Sequence, residues 1–178
     1  MACEDKKILP TLVNIFESSN LRVYPSNDLV GVEYASAFKN VVSVLAGIIK
    51  GMGFSYGSET HIITVIADEL ENIAIGHFGA NKATFSMKSQ AWSNDLWMSC
   101  TGSTRNREFG ILLGKGISAK KAVLIMKKQG KTIEGINTIA ILDTIVPLKN
   151  YPLLKFLHSL IVKKNIKVDA IKEIIFKQ

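Results

Sequence analysis

Apolar residues recur at helical spacing along most of the chain, and the longest such run is almost unbroken. From Val30 to Met52 nearly every position is apolar or small, which predicts a long helix buried on most sides. A second segment, Glu59 to Phe78, carries a stripe of Ile62, Ile63, Ile66, Leu70, Ile73 and Ile75, with Gly79 placed as its C-cap. Upstream, Ile8, Leu12, Ile15 and Phe16 set a helical period over Lys7 to Ser18. Leu21-Arg22-Val23-Tyr24 then reads as a short strand and Pro25-Ser26-Asn27-Asp28 as a turn.

Downstream the pattern is helical again. A short helix is expected over Lys82 to Gln90, then an irregular stretch around Trp92 to Asp95. Helices follow over Asn106 to Leu113, over Ala119 to Gln129 with Ser118 as cap, over Glu134 to Val146, over Pro152 to Lys163 and near Asp169 to Phe176. No internal repeat or low-complexity linker interrupts them. The fold class is mainly α, a multi-helix bundle with a short α/β remnant at the N-terminus. One strand cannot make a sheet and leaves its edges unpaired. Residues 1–30 therefore read as the tail end of another domain, truncated upstream, and 31–178 as the helical domain.

Composition narrows this picture. With 178 residues, 47% of them hydrophobic, the chain can bury a sizeable core, and disorder is not expected. The longest apolar stretches, Val41 to Ile49 and Ile136 to Leu142, fall short of the ~20 residues of a membrane span. Met1 to Lys7 is charged, without a signal-like apolar region. Cys3, expected to fray with the terminus, and Cys100 are the only cysteines, so no disulfide framework and a cytoplasmic setting are expected. Three scattered histidines add no metal-ligand spacing. The net charge is +7, much of it from lysines between Lys120 and Lys177. Few aromatics are interleaved with them, so a solvated face is preferred to a nucleic-acid surface.

The chemistry concentrates in a few places. Ser99-Cys100-Thr101-Gly102-Ser103-Thr104-Arg105-Asn106 is a hydroxyl-rich turn entering a helix. Hydroxyls there cap free N–H groups, and a helix N-terminus beside an Arg suits a phosphate. Lys39 lies in an apolar segment, with Ala35, Ser36, Val42 and Ser43 around it. It either snorkels to water or is buried in the manner of a general acid/base lysine. Asn40 beside it can bond a ligand or cap a neighbouring helix. Asp95, in an aromatic-rich turn, is either an N-cap or a carboxylate that orients a cation such as Lys39. Glu134 reads as a capping acid at a helix start. Gly47, Gly51 and Gly53 fall in or just after a helix, so they make no dinucleotide fingerprint.

Five blocks in register resemble the C-terminal half of bacterial-type NAD(P)-dependent glycerol-3-phosphate dehydrogenases. They are Leu21-Arg22-Val23-Tyr24 with Ser26, Asp28 and Gly31-Val32-Glu33; Phe38-Lys39-Asn40-Val41; Asn94-Asp95-Leu96 with Ser99-Cys100-Thr101; Thr104-Arg105-Asn106-Arg107-Glu108-Phe109-Gly110; and Thr132-Ile133-Glu134-Gly135. The resemblance reaches from near the N-terminus to about Val162. It implies a bundle of the 6-phosphogluconate dehydrogenase C-terminal-like kind. It implies Lys39 as the proton acceptor, taking the C2 hydroxyl proton of glycerol 3-phosphate while hydride passes to the nicotinamide. Asn40 and Asp95 would lie in the substrate site, and Thr104, Arg105 and Asn106 would hold the substrate phosphate. Arg105, Thr132 and Glu134 would meet the cofactor, NAD or NADP.

The departures are as telling. The nucleotide domain that the family's helical domain closes over is missing, so the cofactor is not expected to bind this chain alone. The family's Gly-x-Asn reads Ser55-Tyr56-Gly57, its Thr-Arg-Gly arginine reads Val65, and the glycine-rich approach to Asp95 reads Lys88 to Asn94. What is implied is a substrate domain that is inactive alone, with glycerol 3-phosphate or dihydroxyacetone phosphate as ligand. A separate nucleotide-binding chain and a homodimer are both left open as partners; no membrane and no nucleic acid is expected. The alternative is a non-catalytic helical dimerisation or partner-binding protein of the same descent.

Overall fold

The long apolar run forms the helix around which the others pack. The computed structural model describes residues 1–176, so Lys177 lies outside the described residues. Among them are nine α-helices: α1 (Leu9–Phe16), α2 (Leu29–Gly51), α3 (Tyr56–Phe78), α4 (Asp95–Thr101), α5 (Arg105–Gly114), α6 (Ala119–Lys128), α7 (Glu134–Ile145), α8 (Pro152–His158) and α9 (Ile171–Ile175). Helices α3, α4, α5 and α7 all pack on α2, so every residue from Val41 to Ile49 is buried. By length and apolar composition α2 could cross a bilayer, which the expectation of only short apolar stretches overlooked. Here most of its apolar surface lies inside the protein.

Helix α5 crosses α2 at a contact made by backbone. Gly47 and Gly51 of α2 face Gly110 and Gly114 of α5. A Cβ on Gly47 would lie 2.1 Å from the Arg107 carbonyl oxygen, and one on Gly110 would lie 2.0 Å from that of Val44. No side chain fits there, so these glycines serve helix packing and not a nucleotide. Elsewhere the core is made of Leu, Ile, Val and Phe, including Phe38, Leu45, Ile66, Leu70 and Phe109.

Several boundaries differ from the sequence reading. Leu21 to Tyr24 forms no strand; among the described residues there are only isolated bridges, Ala2 with Ser26 and Ser18 with Leu21. The terminus does not fray at Cys3: the Met1 amino group donates to the Tyr24 carbonyl and the Cys3 N–H to that of Ser26. The short helix over Lys82 to Gln90 is a single 3-10 turn, Lys82–Phe85. The stretch near Trp92 is regular after all, a π-turn over Gln90–Asn94 that runs into α4. Ser93 Oγ bonds the Met87 and Ser89 carbonyls, which widens the turn, and buried Trp92 packs edge-on to Phe85.

Ser118 holds the N-cap position of α6 without a side-chain hydrogen bond. The helix from Pro152 changes to a π-turn at Ser159–Lys163, which ends at Lys164 in the left-handed conformation (φ 56°). The last helix is shorter than expected because Val168–Ala170 is a 3-10 turn. Gly79 caps α3 as expected, with φ 71°. Glu69 of α3 is buried, and its carboxylate accepts the backbone N–H groups of Leu153 (2.9 Å) and Leu154 (3.0 Å) at the start of α8. Burial pushes that carboxyl up to about 7, against the pull of the two backbone donors.

Candidate active site

The N-terminus of α2 is fixed before its chemistry begins. Asp28 caps it, accepting from Gly31 N (2.9 Å), from Asn81 N (2.9 Å) and from Thr84 Oγ1 (2.6 Å). Ser26 Oγ accepts in turn from Asp28 N. A side chain at Gly31 would run into the Asp28 carboxylate, 1.9 Å from an ideal Cβ. The Ser26, Asp28 and Gly31 motif is thus a capping device. Burial works against the charged form of Asp28, but its hydrogen bonds outweigh that, and the carboxyl sits below its ordinary value.

Three turns further along α2 come Lys39 and Asn40. Lys39 Nζ forms an ion pair and hydrogen bond with Asp95 Oδ2, from the first residue of α4. Both side chains are partly buried, 18% and 29% exposed. Lys39 therefore neither reaches bulk water freely nor lacks a partner. Asp95 is not an N-cap; Asn94 holds that position, and the Asp95 carboxylate is turned to Lys39.

Asn40 continues the connection. Its Oδ1 accepts from Asn106 Nδ2 (3.0 Å), and its Nδ2 donates to Glu134 Oε2 (3.2 Å). Asn106 is buried in α5, and its Oδ1 accepts the Gly135 N–H of α7 (3.0 Å). Gly135 has to be small: a Cβ would lie 2.9 Å from the Asn40 carbonyl oxygen. Glu134, expected to cap α7, sits in its first turn instead and accepts from Arg105 Nη2 (3.2 Å). Arg105 Nη1 donates to Thr132 Oγ1 (3.0 Å). Thr104 is the N-cap of α5 and accepts from Arg107 N (3.4 Å). The eight residues singled out in the sequence thus fall into three neighbouring groups: Lys39 with Asp95; Asn40 with Arg105, Asn106, Thr132 and Glu134; and Thr104 at the N-cap of α5.

These groups differ in exposure. The Arg105 and Glu134 side chains are about half exposed and present their charge to solvent. Asp95 lies on the wall of a broad open cleft of about 1240 Å³, whose other walls include Arg22, Ser36, Asn81 and Lys88. Cys100, beside the site, is buried, and burial pushes its thiol up to about 12, so it offers no thiolate. Among the described residues no group of three or more His, Cys, Asp or Glu side chains could hold a metal. The sequence reading missed a partly buried ion pair, Arg107 Nη2 with Glu59 Oε1 (2.6 Å), which ties the first turn of α5 to α3. An arginine inside an apolar-periodic helix was the available signal. It also passed over Ser43, whose hydroxyl is buried between α2, α4 and α5.

Residues 28–173 match the family model described as the C-terminus of NAD-dependent glycerol-3-phosphate dehydrogenase. The chain belongs to that family. It is 31% identical over 182 residues to the glycerol-3-phosphate dehydrogenase [NAD(P)+] of Halothermothrix orenii, covering 99% of this chain and 52% of that protein. It is 40% identical over 119 residues to the enzyme of Mannheimia succiniciproducens, covering 66% of this chain and 34% of that one. The fold matches the crystal structure of glycerol-3-phosphate dehydrogenase from Coxiella burnetii, with a TM-score of 0.82 and 24% identity, over 99% of this chain and 53% of that one. It also matches that of Plasmodium falciparum, with a TM-score of 0.85 and 17% identity, over 99% and 50%. The chain spans about half the length of the curated relatives it matches first.

The family is NAD(P)-dependent, which raises the question of what here could hold a dinucleotide. A dinucleotide fold needs a strand, a glycine turn and a helix N-terminus at the pyrophosphate. Among the described residues there is no strand to build it. Arg105, Thr132 and Glu134 bond one another on an open surface and enclose nothing. The described residues do not fit a whole dinucleotide.

Proposed function

We propose that this chain is the substrate-binding half of an NAD(P)-dependent glycerol-3-phosphate dehydrogenase and binds glycerol 3-phosphate or dihydroxyacetone phosphate. The observation that carries the reading is that residues distant in sequence meet: Lys39 pairs with Asp95, Asn40 bonds Asn106 and Glu134, and Arg105 bonds Glu134 and Thr132, while Thr104 caps the helix that carries Arg105 and Asn106. The phosphate belongs at the N-terminus of α5, where the first N–H groups have no helical partner and the helix dipole favours an anion. Arg105 supplies the fixed positive charge. Lys39 faces the C2 oxygen, takes its proton in the direction of oxidation and returns one in the direction of reduction. Asp95 holds the Lys39 amine in place. Asn40 and Asn106 keep the two helices that carry these groups in register, and Asn40 borders the substrate.

Oxidation at C2 also needs a hydride acceptor, and the chain offers no complete site for one. These residues are therefore inactive alone and act together with a nucleotide-binding domain, on the same or a separate chain, in the cytoplasm, with Arg105, Thr132 and Glu134 turned toward the nicotinamide that such a domain would bring. The test is a titration with glycerol 3-phosphate followed by calorimetry. Saturable millimolar or tighter binding that is lost in Arg105→Ala supports the reading, whereas no heat and no thermal shift at millimolar ligand sinks it. Oxidation of reduced nicotinamide by dihydroxyacetone phosphate should be undetectable with this chain alone.

The second reading, a non-catalytic helical dimerisation or partner-binding protein, has its own support. Helix α7 leaves Ile141 and Ile145 exposed. It predicts a concentration-dependent sedimentation coefficient with no response to the phosphate ester.

A further inference from the structure

We infer that Ser43 is a positioning residue for the phosphate-binding turn, an inference that rests on the binding role proposed above. Ser43 stands about one helical turn beyond Lys39 on α2 and is completely buried. Its Oγ donates to the Ser99 carbonyl oxygen in α4 at 2.7 Å and lies 3.0 Å from Thr104 Oγ1, the N-cap of α5. Thr104 Oγ1 is itself 3.0 Å from the same Ser99 oxygen. The three groups close a triangle that joins α2, α4 and α5.

Counting protons shows what the triangle does. Ser43 has one hydroxyl proton and gives it to Ser99 across the shorter contact. Thr104 also has one, and it goes either to Ser43 Oγ or to the Ser99 oxygen, both inside the triangle. The Thr104 oxygen accepts from Arg107 N as well. No Thr104 proton is left for a ligand, so this hydroxyl orients the turn while Arg105 and the first N–H groups of α5 meet the anion. The glycine crossing sets how close α5 comes to α2. The Ser43 hydroxyl sets how the entry to α5 is turned relative to Lys39, and so the span between the proton-handling amine and the anion site. A three-carbon phosphate ester must match that span.

The test uses the purified 178-residue chain. Ser43→Ala should weaken glycerol 3-phosphate binding about fivefold, the effect of one net hydrogen bond. Amide exchange at Arg107 should accelerate while that at Leu70 in α3 stays unchanged. In an Arg105→Lys background, which keeps the charge and measurable binding, Ser43→Ala should cost clearly less than fivefold, a non-additivity that general loss of stability does not produce. Ser43→Cys restores most of the volume without a strong hydrogen bond and should behave like Ser43→Ala; it also carries the test if the alanine variant does not fold. Unchanged exchange at Arg107 in Ser43→Ala, or native affinity and exchange in Ser43→Cys, overturns the assignment. If the native chain itself binds no glycerol 3-phosphate, the proposed function falls, and exchange at Arg107 alone then upholds or overturns the role of Ser43.

Discussion

The crossing of α2 and α5 and the segment before α2 are held by opposite means. At the crossing, backbone lies on backbone, and the space beside Gly47 and Gly110 would not admit a methyl group. In the first 28 residues, Leu9 alone is fully buried, α1 exposes Ile15 and Phe16, and the terminus is held by backbone bonds to Tyr24 and Ser26. Steric exclusion specifies the first region; a few hydrogen bonds and one cap specify the second. Lys39 and Arg105 both ride on the helices of the first.

That contrast can be broken by substitution, and the largest effect belongs at the crossing. Gly110→Ala should cost about 3 kcal/mol or more in denaturant unfolding, at the upper end of overpacking effects, because the new methyl meets backbone that cannot rotate away. Gly76→Ala is the control: it lies within α3, where a Cβ meets nothing within 4 Å, and should stabilise by up to about 1 kcal/mol. If both substitutions moved stability the same way, close approach would not explain the crossing.

Next comes Glu69, in the body of the bundle. Its folded value of about 7 is raised above the ordinary 4.5, so between these values the folded state holds a proton that the unfolded state has released. Its contribution is therefore greatest below about pH 4.5 and declines as pH rises toward 7, by on the order of 1–3 kcal/mol. Unfolding curves across that window should lose this slope in Glu69→Gln.

Asp28 joins the two regions, and Asp28→Ala should cost about 1–2 kcal/mol, a typical N-cap loss. Because its carboxyl is lowered, the stability it supplies is present above its ordinary value of 3.8 and disappears as pH falls through its lower folded value. Removal of residues 1–5 should be the mildest change, under about 1 kcal/mol, since it takes away a few exposed hydrogen bonds. A loss as large as that from Gly110→Ala would erase the contrast between the regions.

The sequence carried the helical body well, because apolar spacing reports burial directly: Val30 to Met52 and Glu59 to Phe78 came within three residues of α2 and α3. Its motifs singled out residues that the fold brings near one another, and the Lys39 contact with Asp95 agrees with one of the two roles left open for Asp95. Other features depend on contacts between distant segments, and no local pattern could report them. Leu21 to Tyr24 has strand-like residues, but a strand is defined by its partner, and none is beside it. The π-turn before Asp95 goes with the Ser93 hydroxyl bonding back to the Met87 and Ser89 carbonyls. Gly47 and Gly51 were read along one helix, although their meaning lies in Gly110 and Gly114 on the other. Glu134 looked like a cap because its partner Arg105 is 29 residues away in sequence.

Because Lys39 and Arg105 ride on two helices whose separation is set by main chain, the reach between them does not depend on which apolar side chains fill the surrounding core. Core residues can be exchanged over evolutionary time while the two groups stay at a constant distance. A chain 31% identical to a relative over nearly its whole length can keep the same arrangement of functional groups on those terms. The four glycines act as a fixed ruler, and drift in the apolar core around them leaves its length unchanged.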